Sequence, residues 1–168
     1  MEYGWLTKSR RDDNKMKPNK ITVHCSASLW GDAGEIRKWH TDPPPRGNGW
    51  RDIGYHKVIL NGRPRYGMGY DEDYDGLVQD GRPEDQMGAH VLGHNQDNLG
   101  VCLIGITEFT PRQMGALKRV LMNWMDDYKL KISDIYGHNE FSGHESRICP
   151  GFNMTIFRNK FRMERFFI

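Results

Sequence analysis

Three cysteines in 168 residues are too few for a disulfide framework. Cys25 and Cys102 also lie inside apolar, strand-like runs, where a thiol behaves as a small hydrophobe. That usage fits a reducing compartment. No apolar run approaches the roughly 20 residues needed to cross a bilayer, so no stable membrane insertion is expected. The formal net charge is only +2, too small to mark the whole chain as nucleic-acid binding. Met1-Glu2-Tyr3-Gly4-Trp5-Leu6 lacks the charged-then-apolar order of a secretory signal, so the chain is expected to stay where it is made. Internal repeats and low-complexity stretches are missing. So is the paired-carboxylate motif that most glycosidases use.

What is present is enough for one compact domain. A chain of this length buries roughly two-thirds of its unfolded surface, and 37% of its residues are hydrophobic. Residues 1–20 read as a mobile or loosely packed N-terminal arm, because Lys8 to Lys20 carries a local excess of Lys and Arg without periodicity; residues 21–168 form the domain. Ile21-Thr22-Val23-His24-Cys25 alternates as a strand does. Asp32 caps a short helix that ends near His40, before three prolines. Tyr55 to Leu60 reads as a strand turning at Asn61-Gly62, whereas the Gly-, Asp- and Tyr-rich stretch from Arg63 to Asp80 reads as an excursion from the sheet. Leu99 to Gly105 is nearly continuous apolar sequence, as in a central strand covered on both faces. Thr110-Pro111-Arg112-Gln113 combines an N-cap, a proline at the first helical position and a capping-box glutamine. Met114, Leu117, Leu121 and Trp124 follow at helical spacing. Ile135 to Gly137 is a further short strand, and Met154, Phe157 and Phe161 form the stripe of a last helix. Strands alternating with helices give an α/β domain.

Three residues stand out chemically. His24 and His138 each end a short apolar run, and Cys149 precedes the turn signal Pro150-Gly151, so all three lie at element ends where functional groups are displayed. Two imidazoles and one thiolate are three ligands for a zinc ion that prefers four, which leaves one position open. Such a site has a net charge of +1, enough to polarise an amide carbonyl and to lower the pKa of a bound water to about 7. By spacing alone the choice is weakly specified, since seven His and three Cys allow many sets of three, and His144 is a rival ligand. Glu140 reads either as a solvated charge or as a carboxylate orienting a metal-bound histidine. His40 reads as helix packing, and His56 as facing away from Tyr55.

Seven blocks in one order resemble the zinc-dependent N-acetylmuramoyl-L-alanine amidases, a family that includes phage lysozyme-like endolysins and peptidoglycan recognition proteins. They are Val23-His24-Cys25-Ser26, Ile36 to His40, Gly49 to His56, Gly88-Ala89-His90 with His94-Asn95, Leu99 to Gly105, Gly137 to Glu140, and Cys149-Pro150-Gly151-Phe152. The resemblance implies a mixed central β-sheet flanked by helices, with a substrate groove open to the metal. It also implies that His24, His138 and Cys149 bind one zinc, that Tyr55 is catalytic, and that His90, His94 and Asn95 line the substrate groove. Arg147 stands where several members have lysine; it cannot act as a base but can stabilise negative charge. Cys102 stands where some members of the wider family carry a glutamate, which makes the phage branch the nearer match. The segment from His138 to Cys149 is longer than in compact members.

The implied activity is hydrolysis of the amide between N-acetylmuramic acid and L-alanine in bacterial peptidoglycan, by a monomeric endolysin. It would be made in the host cytoplasm and released to the wall by a separate membrane-permeabilising protein. Two other readings follow from the same resemblance. One is a peptidoglycan-binding module without catalysis, against which Cys149 argues. The other is a regulator that binds a polymerase, as some phage members do, with the basic arm as the place to look.

Overall fold

The computed structural model describes residues 15–165. Its elements are β1 (Lys20–Cys25), α1 (Ala33–Thr41), β2 (Lys57–Asn61), β3 (Asp75–Asp80), β4 (Asn98–Leu103), α2 (Pro111–Tyr128), β5 (Ile135–Gly137) and α3 (Met154–Arg165). The strands form one sheet in the order β3-β2-β4-β1-β5. β1 runs parallel to both β4 and β5, β2 runs parallel to β4, and β3 alone is antiparallel. The expected mixed α/β sheet is therefore present, with β4 at its centre and every residue of that strand buried.

Alternation along the strands builds two cores. Ile21, Val23, Leu99, Val101 and Leu103 pack against Leu117, Leu121 and Trp124 of α2 and Phe157 and Phe161 of α3. On the other face Val58, Leu60, Cys102 and Ile104 pack with Ile36 of α1 and with Ile53. β1 sends Ile21 and Val23 to the first face, so His24 goes to the second.

Local chemistry starts the helices where the residues predict. Asp32 accepts a hydrogen bond from the Glu35 backbone N–H at 2.7 Å, and Thr110 with Gln113 forms a complete capping box. Buried Gln113 also donates through Nε2 to the carbonyls of Ile59 and Ile104, at 3.2 and 2.8 Å. That joins the start of α2 to β2 and to the chain just beyond β4.

Two expectations need correction. Arg63 to Asp80 is not wholly an excursion, because its last six residues form β3, paired with β2. As an edge strand β3 has few apolar residues to advertise it, and Leu77 is 41% exposed. Of the arm, residues 1–14 lie outside the described residues, as does any polymerase contact assigned to them. Residues 15–20, however, are docked rather than loose. Met16 belongs to the main core, Lys17 N–H donates to Asp97 Oδ1 at 3.0 Å, and Asn19 N–H donates to the Asp97 carbonyl at 2.9 Å. One apolar residue among lysines makes no periodic pattern, so this docking is silent in the sequence.

Candidate metal centre

The sheet itself brings the two histidines together. β1 and β5 are parallel neighbours whose register pairs Val23 with Gly137. The next residues, His24 and His138, therefore emerge side by side at the carboxyl ends of the strands, where open α/β sheets usually place ligands. Cys149 arrives on the loop before α3. Its Sγ accepts from the Cys25 backbone N–H at 3.2 Å, and its carbonyl accepts from Asn139 N–H at 3.1 Å. Gly151 holds this loop in place with φ +89°. It lies so close to the Ile106 carbonyl that no side chain fits there.

His24 Nδ1 lies 3.1 Å from His138 Nδ1 and 3.6 Å from Cys149 Sγ. Among the described residues these three form a group able to hold a metal ion, with all donor atoms within 4.8 Å of one another. Zinc–nitrogen bonds of about 2.0–2.1 Å and a zinc–sulfur bond of about 2.3 Å place tetrahedral N and N about 3.3 Å apart, and N and S about 3.5 Å apart. The observed spacings are close to both.

The hydrogen-bond network assigns the protons. His90 Nε2 lies 3.0 Å from the Asn98 carbonyl, which only accepts, so Nε2 carries hydrogen. Burial pushes His90 down to about 3, so the ring is neutral at pH 7 and its Nδ1 is bare. That Nδ1 accepts from His24 Nε2 at 3.0 Å. His24 is itself held well below its usual pKa, by burial first and by neighbouring His90 and His138 next, which leaves His24 Nδ1 bare as well. On the other side His144 Nε2 donates to the Leu92 carbonyl at 3.0 Å, and His144 Nδ1 lies 3.1 Å from His138 Nε2. Burial, helped by Arg147 and His144, pushes His138 down to about 4. Two unprotonated nitrogens thus face each other in a buried site, an arrangement that repels itself unless a cation sits between them. The hydrogen bond with the Cys25 thiol, and then burial, push the Cys149 thiol up; a bound cation would be needed to make it a thiolate there. The donor set fits zinc.

A cavity of about 540 Å³ opens beside this group, lined by Trp50, Tyr55, His90, Leu92, Asn95 and Arg147 among others. Tyr55 lies with its ring 5.0 Å from that of His24. Burial, and then the nearby Cys102 thiol, raise its phenol well above the usual value, so the hydroxyl keeps its proton. Arg147 donates through Nε to His144 Nδ1 at 3.3 Å.

Other expected site residues are placed differently from one another. His90 touches the cavity, yet both its nitrogens are used in supporting His24 and holding Asn98. Asn95 lines the cavity while its Oδ1 accepts from the N–H groups of His90 and Val91, each at 2.8 Å. His94 is not in the cavity wall; its ring lies 5.1 Å from Phe141 and its Nε2 lies 3.3 Å from the Ser142 carbonyl. Glu140 touches no histidine. It pairs with Arg158 at 2.6 and 2.7 Å and accepts from Gly137 N–H at 2.9 Å, which fixes the backbone just before His138. His40 Nδ1 accepts from Gly54 N–H at 3.0 Å, and His56 Nδ1 accepts from Gly100 N–H at 2.9 Å. His144 lies beside the ligands rather than among them. Sequence reasoning does not single out Leu92 or Ala89, since loop residues carry no pattern that marks a cavity wall.

The fold and the site together define an α/β domain with two imidazoles and one thiol gathered beside an open cavity. The family model described as N-acetylmuramoyl-L-alanine amidase matches residues 14–152. The endolysin of Enterobacteria phage K11 is 33% identical over 151 residues, covering 83% of this chain and 85% of the relative. The solved N-acetylmuramoyl-L-alanine amidase LysC from Clostridium intestinale superposes with a TM-score of 0.69 at 24% identity, over 98% of this chain and 95% of that one. One chain from the solved complex of tracheal cytotoxin with the ectodomains of peptidoglycan recognition proteins LCa and LCx matches with a TM-score of 0.61 at 25% identity, over 81% of this chain and 77% of that one. The chain belongs to the N-acetylmuramoyl-L-alanine amidase family.

His90 sits between two glycines. A Cβ on Gly88 would stand 2.5 Å from its Cδ2, and one on Gly100 would stand 2.7–2.8 Å from three ring atoms. Gly100→Ala is therefore expected to overpack the support of His24 and to cost about 1–3 kcal/mol. The check is a lower denaturant midpoint at unchanged m-value in metal-free protein; an unaltered midpoint would show that His90 can give way.

Proposed function

We infer that this chain hydrolyses the amide bond between N-acetylmuramic acid and L-alanine in bacterial peptidoglycan, as a phage endolysin. One observation carries the reading: a family match over residues 14–152 that includes a complete two-imidazole, one-thiol donor set beside an open cavity. A module kept only for binding has no need of the thiol. No carboxylate is among the residues lining that cavity, so the two-carboxylate chemistry of most glycosidases has no support there.

His24, His138 and Cys149 would hold zinc, which when bound supplies Lewis acidity and a water of pKa about 7. The residues around them do the rest. Tyr55, neutral and facing the cavity, donates a hydrogen bond to the oxyanion that develops on the scissile carbonyl. Arg147, permanently charged, places positive charge at the same wall and takes no part in moving protons. Asn95 and the exposed Trp50 and Leu92 shape the groove that receives the substrate. The protein is made in the host cytoplasm and acts on the wall as a monomer. Among the described residues no helix is long and apolar enough to cross a membrane, and passage to the wall depends on a separate membrane-permeabilising protein.

The purified protein is expected to carry one zinc per chain, to lose activity on chelation and to recover it with zinc. Its action on peptidoglycan should release L-alanine amines and no reducing sugar ends. Full activity in demonstrably metal-free protein would remove the metal from the reaction, and new reducing ends would make the enzyme a glycosidase.

Tyr55→Phe should keep zinc and lower kcat on the order of 10²- to 10³-fold, the usual effect of deleting one oxyanion donor. Near-normal turnover would reduce Tyr55 to a packing residue. For Arg147, the lysine variant should retain much of the activity, while the alanine variant loses kcat with zinc still bound. A rise in KM alone for Arg147→Ala would instead mark a residue that only holds the anionic polymer.

A further inference from the structure

His144 lies in the longer segment between His138 and Cys149 and is 7% exposed. Turn hydrogen bonds hold it on both sides: its N–H donates to the Phe141 carbonyl, and its own carbonyl accepts from Arg147 N–H, each at 3.0 Å. Its side chain makes three contacts. Nε2 lies 3.0 Å from the Leu92 carbonyl, while Nδ1 lies 3.1 Å from His138 Nε2 and 3.3 Å from Arg147 Nε.

These contacts admit one arrangement of protons. The Leu92 carbonyl can only accept, so His144 Nε2 carries hydrogen. Arg147 Nε can only donate, so His144 Nδ1 is bare. A bare Nδ1 facing His138 Nε2 requires the hydrogen of that pair to be on His138, and this leaves His138 Nδ1 free to ligate. We propose that His144 is a positioning residue for the metal centre: it fixes the tautomer and ring orientation of His138 and holds Arg147 on the same nitrogen. This rests on the zinc reading above. Partners of this kind typically change metal affinity by 10- to 100-fold when lost.

The competing role is a fastener, in which His144 matters only because it ties its loop to Leu92. Two substitutions separate the roles. Asn places its Oδ1 where His Nδ1 stands, which keeps the acceptor for His138 and loses the Leu92 bond. Gln places its amide nitrogen near His Nε2, which keeps the Leu92 bond and loses the acceptor. The measurement is the zinc dissociation constant of each full-length protein by chelator competition. The absorption of the cobalt-substituted forms reports ligand geometry, and melting of the metal-free forms reports folding.

His144→Asn is expected to bind zinc within a few-fold of the unaltered protein with the same cobalt spectrum. His144→Gln is expected to bind roughly 10- to 100-fold more weakly with an altered spectrum, at equal metal-free stability. The opposite ranking overturns the proposal in favour of the fastener. Equal affinity in all three proteins overturns it too and leaves the zinc site standing. Failure of the unaltered protein to bind zinc removes the site and the proposal together.

Discussion

Two neutral imidazoles, buried and aimed at each other through bare nitrogens 3.1 Å apart, are the constraint around which this end of the molecule is organised. A protein can hold such a pair only by assigning every other ring proton elsewhere. His90 and His144 do this, each donating its own Nε2–H in a hydrogen bond to a backbone carbonyl. Carbonyls cannot return a proton, so the two chains of hydrogen bonds are directional and both end on lone pairs at the metal position. Burial reinforces the arrangement by holding His24, His90 and His138 neutral, since a charged imidazole would lose its hydration there without a counterion.

The sheet explains why this is affordable in so small a domain. Parallel pairing of β1 with β5 places His24 and His138 side by side without any loop having to find the right conformation. Gly88 and Gly100 leave room for the His90 ring. Gln113, buried at the start of α2, occupies the carbonyls of Ile59 and Ile104, so the centre of the sheet is finished before the groove begins. The remaining freedom lies in the rim, where Leu92 is 84% exposed and Trp50 42% exposed, as suits a surface that meets an extended polymer.

The parts of this design that repeat were legible in the chain. Central strand β4, the capped start of α2 and the stripes of α2 and α3 each follow a period or a local hydrogen bond, whereas the donor set was weakly specified by spacing and was singled out by the ordered blocks of the family resemblance. β3 was hidden because an edge strand needs few apolar residues. Met16 was hidden because one buried side chain makes no pattern. The places of His144 and His94 depend on which loop meets which, and no local rule encodes that. Glu140 shows the same limit: it reads either as a solvated charge or as a partner for histidine, yet Arg158, on a later helix, claims it.

The donors lie up to 125 residues apart and come from the first strand, the last strand and the loop before the last helix. A local zinc finger can seize its ion from a half-made chain; here no fragment that lacks either end of the domain owns more than two of the three donors. Bringing the three donors together therefore depends on the threading of the whole domain. A chain that registered β5 wrongly against β1, or failed to close its last loop, would leave the three donors apart.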